Sequence, residues 1–296
     1  MFVIGRIFYM KYEKHPRYNF QIKEISRFNS TELIQTYHYS KIMPRLTKHF
    51  LGCFLKEELV GVLTLGWGTQ PKATIAKLFD GLDTKDYYEI GKMCMKPEMP
   101  KNSESQMLSG VVKWMKVNCP EKQFLYTWAD GIMGKPGYVY QAANFLYGGF
   151  IWTTIYISDK NEKIHPRSSK RLCSENYDFK IKREPKFFDG RKIDEKTGKP
   201  RIYWLTQDFL DHKGISKIHG KQFRYILPLN KKARKLLKKS NVEWNLNYPK
   251  ENDLVWNKST VDGKKQLSGM PYIDGNMTEY NEKNVNAHIG TLEAFL

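Results

Sequence analysis

From residue 50 onward the chain alternates short apolar runs with two segments of helical periodicity, in an order that few folds accommodate. Phe50–Leu55 and Val60–Leu65 are apolar runs joined by Lys56-Glu57-Glu58-Leu59, the pattern of a β-hairpin. Tyr87–Met95 reads as a further strand, stopped by Pro97. Ser103-Glu104-Ser105-Gln106 has the pattern of a capping box, and Met107, Leu108, Val111, Val112 and Met115 follow at helical spacing. Phe124–Trp128 reads as a strand, Tyr138–Tyr147 as a helix and Phe150–Ile157 as a β-rich strand. The order ββ, β, α, β, α, β predicts an α/β (α+β) fold with a mixed central sheet and flanking helices.

Upstream, Phe2–Ile7 and Tyr18–Ile22 are strand-like. Asn29-Ser30-Thr31-Glu32 resembles a helix start with Asn29 as cap, and that helix would end near His38-Tyr39-Ser40. Downstream, Gly190 and Gly198 bracket a polar segment that predicts a long hairpin turn before Arg201–Leu205. Phe223–Leu229 reads as a strand, Lys231–Lys239 as a short and intensely basic helix, and the last fifty residues as loop-rich. The expected organisation is a catalytic core over 1–160, a basic insertion with the final core strand over 161–230, and a basic, loop-rich extension over 231–296.

Charge bears on partners more than on fold. The 296 residues carry a formal net charge of +18, and roughly 29 of the 49 lysines and arginines fall in residues 160–296 against about 17 acids. Such an excess attracts polyanions, nucleic acid first. The clusters that would meet phosphates are Arg167, Lys170 and Arg171, and Lys235, Lys238 and Lys239 within the basic run. Cys53, Cys94, Cys119 and Cys173 show no CxxC spacing, so a zinc ribbon or redox motif is unsupported and a reducing, cytoplasmic setting is expected. Arg6 interrupts the apolar first ten residues and no small-residue cleavage site follows, so no signal peptide is read. No run approaches the roughly 18 apolar residues that span a bilayer.

One region mixes residue types that a packed core rarely requires. Trp128-Ala129-Asp130-Gly131 leaves the end of an apolar strand, crosses a Gly/Pro-rich loop and meets Tyr138 and Tyr140 at a helix start. Asp130 is a candidate general base or metal ligand, although an aspartate at a strand end is also a common turn-former. Tyr138 and Tyr140 stand two apart and cannot share a helical face, so one of them would face a site while the other packs. Asn144, four residues after Tyr140, would lie on its face. Lys92 interrupts an apolar strand and needs an anion or a route to solvent. Asn102, Ser103 and Ser105 open a helix after a strand, where unpaired N–H groups suit a phosphate.

These pieces resemble the core of GNAT-type acyl-CoA N-acyltransferases, in which the turn before the central helix holds the CoA pyrophosphate. Within that superfamily the chain resembles the Mom family of phage adenine-modification enzymes. The matching pieces include His38-Tyr39-Ser40, Gly91-Lys92-Met93, Asn102-Ser103-Glu104-Ser105, Ala129-Asp130-Gly131, Tyr138-Val139-Tyr140-Gln141-Ala142, Asn144-Phe145, Tyr147-Gly148-Gly149, His165-Pro166-Arg167-Ser168 and Phe223-Arg224-Tyr225. The resemblance covers roughly residues 30–230. It implies transfer of an acetyl-CoA-derived group to N6 of adenine in double-stranded DNA, giving a carbamoylmethyl (acetamido) adduct that protects phage DNA from restriction. It implies Tyr39, Asp130 and Tyr140 as functional residues, Ser105 on the cofactor turn with Lys92, Asn102 and Ser103 near it, and acetyl-CoA as cofactor. It also suggests iron, for which His38 would be a ligand. The family commonly has Arg where this chain has Lys92, which keeps the charge but loses the planar fork.

The chemistry accords with that resemblance. Adenine N6 is a poor nucleophile because its lone pair is delocalised into the ring, so a base must take its proton as the new bond forms. The adenine must also leave the helix stack to be reached. Two other readings stand beside this one: a GNAT acetyltransferase acting on a protein or RNA amine, and a non-catalytic DNA-binding protein.

Overall fold

A computed structural model of the chain describes residues 17–271, apart from 69, 165–167, 194, 196–197 and 199–204. Its centre is one mixed sheet. Strands β1 (Phe20–Glu24), β2 (Leu46–Leu55), β3 (Glu58–Trp67) and β4 (Tyr87–Met95) run antiparallel to one another, β4 pairs parallel with β5 (Phe124–Ala129), and the order continues through β8 (Ser216–Pro228), β6 (Leu146–Ile157) and β7 (Lys163–Ile164). The β2–β3 hairpin and β4 fall where the apolar runs place them. The helix α3 (Ser103–Asn118) lies between β4 and β5 in the chain, as its spacing predicts.

Two apolar clusters sandwich the sheet. Alternation along β4 and β5 sends Tyr88 and Leu125 to one face, where they pack with Met107, Leu108, Val111 and Met115 of α3. Tyr87, Phe124 and Tyr126 go to the other face, with Ala233 of the basic helix α7 (Lys231–Leu237). The helix α1 (Arg27–Tyr37) covers Val62 and Cys94 through Ile34, and the short α2 (Pro71–Ala76) adds Ile75 to the cluster of Tyr87 and Phe124. A satellite cluster joins α5 (Ser168–Arg183) and α6 (Gln207–His212) through Leu172, Phe209 and Leu210.

The structure corrects several local expectations. α1 begins before Asn29: Ser26 is its cap, and the Ser26 hydroxyl accepts from the Asn29 N–H at 3.1 Å. Ser26→Ala is therefore expected to cost about 1 kcal/mol, as lost caps do, and Asn29→Ala should cost much less. Urea unfolding of the two variants would check this, and equal costs would restore Asn29 as the cap. The segment Tyr138–Tyr147 is helical only over α4 (Tyr138–Ala142). Asn144 adopts φ 60°, and the Phe145 N–H returns to the Tyr140 carbonyl at 3.0 Å, so the chain reverses and Tyr147 enters β6. Asn144 therefore does not share a helical face with Tyr140. The capping box at α3 is absent: Asn102 is the cap in a left-handed conformation, with no side-chain capping bond. Part of the terminal region is ordered as a hairpin, β9 (Trp256–Thr260) with β10 (Gly263–Leu267), and β9 pairs with β8.

Phe2–Ile7 and most of the proposed hairpin around Gly190–Leu205 lie outside the described residues. Among the described residues the four cysteines form no disulfide, and no helix is long and apolar enough to cross a membrane.

Candidate active site

Between β4 and β5 the sheet opens. The two strands pair only through Tyr87–Glu89 and Phe124–Tyr126, then part. A bulge at Gly91 lets Thr64 of β3 face Lys92 while Leu65 faces Ile90. That extra residue shifts the alternation, so Lys92 shares a face with Glu89 rather than with Ile90. The Thr64 hydroxyl accepts from the Lys92 N–H at 2.8 Å and pins the bulge.

Asp130 stands at the tip of β5, on the opposite wall of the opening. Gly131 follows it because a Cβ there would meet the Lys221 carbonyl at 2.7 Å and the Phe223 ring at 2.5 Å. The close approach holds Asp130 against β8. Both carboxylate oxygens are engaged: Tyr39 donates its phenolic O–H to Oδ2, and Gln222 of β8 donates to Oδ1 at 2.9 Å. The loop after Asp130 is tied down in turn. Tyr225 donates to the Pro136 carbonyl at 2.6 Å, and Gln141 donates to Tyr225 Oη at 3.1 Å and to the Pro249 carbonyl at 3.0 Å. Gly137, at φ 95°, lies where a Cβ would strike the Tyr225 ring. The Tyr-Gln-Ala block that distinguishes the sequence thus braces the loop.

Cations surround the carboxylate. Burial pushes the Lys92 ammonium down to about 8, and the attraction of Asp130 only partly offsets this. Burial likewise lowers Lys163, again opposed by Asp130. Lys135 lies 5.0 Å from the Tyr39 ring centroid, where its charge meets the ring face. Burial pushes the Tyr140 phenol up to about 12, so it stays protonated at neutral pH.

Two cavities meet at this point. One, of about 440 Å³, contains Glu89, Lys92, Trp128, Asp130, Tyr140 and Gln222. The other, of about 800 Å³, reaches the start of α3 at Lys101, Asn102 and Ser105. His38, Tyr39, Met93, Lys135, Tyr138 and Val139 line both, so the helix N-terminus communicates with Asp130. The structure therefore brings Tyr39, Lys92, Asp130 and Tyr140 together. Lys92 sits with Asp130 rather than at the α3 turn. Ser103 is buried and donates to the Pro100 carbonyl at 2.7 Å, away from the cavity, whereas Ser105 lines it. Tyr138 and Tyr140 both border the cavity, so neither is confined to packing as their spacing predicts for one of them.

A metal does not fit this donor set. The Ser40 N–H donates to His38 Nδ1 at 2.9 Å, which leaves the ring proton on Nε2 and no free lone pair for an ion. Burial, with Lys92 nearby, holds the His38 imidazole well below its ordinary value. Among the described residues no group of three or more His, Cys, Asp or Glu side chains could hold a metal.

The proposed phosphate-contacting residues are dispersed. Lys235, at the end of α7, is exposed, as are Lys238 and Lys239 just beyond it. Arg171 is exposed and pairs with Glu175 at 3.3 Å. Lys170 lies in α5, and Arg167 falls outside the described residues. Sequence reasoning missed Glu89, Lys163 and Gln222. Glu89 carried the same signal as Lys92, a charge inside an apolar strand. Gln222 and Lys163 carried none, because only the sheet order brings them to Asp130.

Among solved structures, the aminoglycoside acetyltransferase AAC(6')-Ib in complex with coenzyme A aligns with 45% of this chain and 87% of its own at 11% identity and a TM-score of 0.35. A Bacillus subtilis acetyltransferase in complex with CoA aligns with 71% of this chain and 98% of its own at 12% identity and a TM-score of 0.33. Both scores are low. Sequence relationship is firmer. The methylcarbamoylase mom of Escherichia phage Mu is 29% identical over 218 residues, 73% of this chain and 78% of that protein. The model of the Mom protein family matches residues 19–250, which include the opening between β4 and β5 and every side chain placed around Asp130, so the chain belongs to the Mom protein family.

Proposed function

We propose that this protein is a DNA-modifying transferase that attaches an acetyl-CoA-derived group to N6 of adenine in double-stranded DNA, forming a carbamoylmethyl-type adduct that shields phage DNA from restriction. The observation that carries the reading is Asp130, a carboxylate oriented by Tyr39 and Gln222 where the two cavities meet. A carboxylate with both oxygens fixed is pre-aimed, and pre-aiming a base lowers the barrier to proton removal. When N6 attacks an activated carbon, the leaving group departs with the electron pair of the bond it breaks, the N6–H bond breaks, and its proton passes to Asp130. The ammonium groups of Lys92 and Lys163 balance the negative charge present before that transfer. Tyr39, Trp128 and Tyr140 offer aromatic walls for a base drawn out of the duplex.

The residues at the α3 turn fit the diphosphate of a CoA thioester. Lys101 supplies a cation, Ser105 a hydroxyl and α3 the positive end of a 16-residue helix. Acetyl-CoA bound there would supply the two-carbon unit, activated at its thioester carbonyl with CoA thiolate as leaving group; linking N6 to the methyl carbon of a carbamoylmethyl adduct also takes a two-electron oxidant and an amide nitrogen donor. The test is mass spectrometry of digested DNA from cells expressing the chain. A mass-shifted deoxyadenosine is the expected product. Unmodified DNA alongside acetylated protein or RNA would overturn the reading.

The same proposal assigns the exposed cations beyond α7 to DNA. Reversing Lys235, Lys238 and Lys239 to Glu should weaken binding to all duplexes similarly. It should also make the dependence of log K on log salt shallower by up to about 2.7, at 0.9 for each phosphate no longer neutralised. Acetyl-CoA affinity should not change, because α7 and α3 cover opposite faces of the sheet. Titrations at several salt concentrations would measure the slope. An unchanged slope would remove this segment from the footprint and leave the Arg171 region as the candidate.

A further inference from the structure

Glu89 is one of three carboxyls that line the smaller cavity, with Asp130 and Glu251, and the mechanism above gives it no task. It sits mid-strand in β4, in a run that is otherwise largely apolar. Its Oε2 is buried with no hydrogen-bond partner. Its hydrogen-bonding neighbour is the Gly68 backbone N–H, and the chain at Gly68 passes so close that a Cβ there would stand 2.6 Å from Oε2. The backbone therefore closes around the carboxyl and leaves one oxygen unmatched. A buried polar atom without a partner is costly, and such atoms in a cavity mark a place where a ligand completes the bonding.

Three features say what kind of ligand. First, Glu89 and Trp128 line one cavity with Asp130, so a flat ring beside the indole would lie within reach of two carboxyls. Second, Glu89 follows Tyr87 by two residues and so shares its face, the face that carries the basic helix α7. The body of α3 packs on the other face. If the exposed cations beyond α7 meet DNA, as proposed above, a ligand meeting Glu89 comes from that side. Third, a carboxylic acid presents one donor and one acceptor side by side. Adenine's Watson–Crick edge presents the complement, an acceptor at N1 and a donor at N6.

We propose that Glu89, as a neutral carboxylic acid, reads the flipped adenine, donating its O–H to N1 and accepting one N6–H while Asp130 takes the other. This assignment rests on the adenine-modifying reading above. Guanine and thymine present a ring N–H where adenine has N1, so they meet donor against donor. Cytosine shares adenine's pattern, and the size of the purine against Trp128 separates the two.

The protonation that this role requires is consistent with the surroundings. Burial pushes the Glu89 carboxyl up to about 7, and the Gly68 N–H opposes this. The groups around it are the phenols of Tyr87, Tyr126 and Tyr140, each of which interacts electrostatically with it, Lys92 on the same face of β4, and Asp130, Lys135 and Glu251 on the cavity lining. The proton is bound below about pH 7 and lost above it, so recognition should weaken as pH rises through 7.

The experiment compares Glu89→Gln and Glu89→Leu with wild type, using a duplex whose target adenine is unpaired and a second in which 1-deazaadenine, with C–H in place of N1, replaces it. A glutamine amide keeps the donor and the acceptor at every pH. Glu89→Gln should retain adenine binding within a few-fold and lose the pH dependence near 7. Glu89→Leu should weaken binding by roughly 10- to 100-fold, the worth of a bidentate base contact. Wild type should lose a similar factor on the 1-deaza duplex, and Glu89→Leu should lose nothing further on it. Acetyl-CoA binding by each variant checks that it is folded, and the 1-deaza comparison on wild type needs no variant. Indifference of the wild-type protein to 1-deazaadenine would overturn the proposal, as would Glu89→Gln binding as poorly as Glu89→Leu. If wild-type protein makes no modified deoxyadenosine at all, the functional reading has failed instead.

Discussion

Asp130→Asn should reduce modified deoxyadenosine by roughly 10²- to 10⁴-fold, the usual worth of a positioned general base, while the protein stays folded. The substitution keeps size and shape. It removes the one property the role demands, the capacity to accept the N6 proton. It also leaves a mismatch, because Tyr39 and Gln222 both donate to Asp130 and an amide can accept from only one of them through its oxygen. Part of any loss could therefore come from a loosened loop, and Tyr39→Phe separates the two effects. That variant removes one orienting bond and keeps the base, so its loss should be about tenfold, far smaller than that of Asp130→Asn. Adduct per total deoxyadenosine in digested DNA gives the activity, and a thermal melt gives the fold. Wild-type adduct in a folded Asp130→Asn protein would remove Asp130 from the chemistry. Equal losses in the two variants would make Asp130 a positioning residue for the loop.

Much of this site could be read from the sequence because it follows strand ends. Tyr87–Met95 and Phe124–Trp128 were legible as apolar runs of strand length, and the helical spacing of Met107–Met115 placed α3 between them. That was enough to put Asp130 at the end of a strand beside a helix N-terminus. Lys92 stood out as a charge in an apolar run. What the sequence did not reveal was the bulge at Gly91, which turns Lys92 onto the face of Glu89, because bulges depend on pairing with β3. Gln222 and Lys163 were illegible for a related reason. They reach Asp130 only because β8 inserts between β5 and β6, a long-range pairing that no local pattern encodes. Local rules also overextended α4. They count apolar spacing through Tyr147, and the left-handed turn at Asn144 overrides them. At α3 the capping-box motif misled because a hydroxyl near a helix start can bond elsewhere, as Ser103 does to the Pro100 carbonyl; at α1 Ser26, three residues earlier, caps in place of Asn29.

Ser105→Glu should weaken acetyl-CoA binding by at least about tenfold, if the α3 turn holds the CoA diphosphate. Ser105 lies in the first turn of α3 and lines the larger cavity beside Lys101 and Asn102. Its hydroxyl donates to the Asn102 carbonyl at 2.9 Å, so its own share in binding a phosphate is modest, and Ser105→Ala should cost only a few-fold. A carboxylate at the same place acts differently. It puts a negative charge against phosphates a few ångströms away in a partly enclosed space, where repulsion of about 1.4 kcal/mol or more is expected, and it occupies the N–H groups the diphosphate would use. The same charge favours the helix, because an acid in the first turn meets the positive end of the dipole. Thermal stability should therefore hold or rise slightly while affinity falls, a combination that general damage to the fold would not produce. Calorimetric titration with acetyl-CoA, alongside a melt, measures both. Unchanged affinity in Ser105→Glu would move the cofactor away from this turn and leave the larger cavity without its assigned occupant.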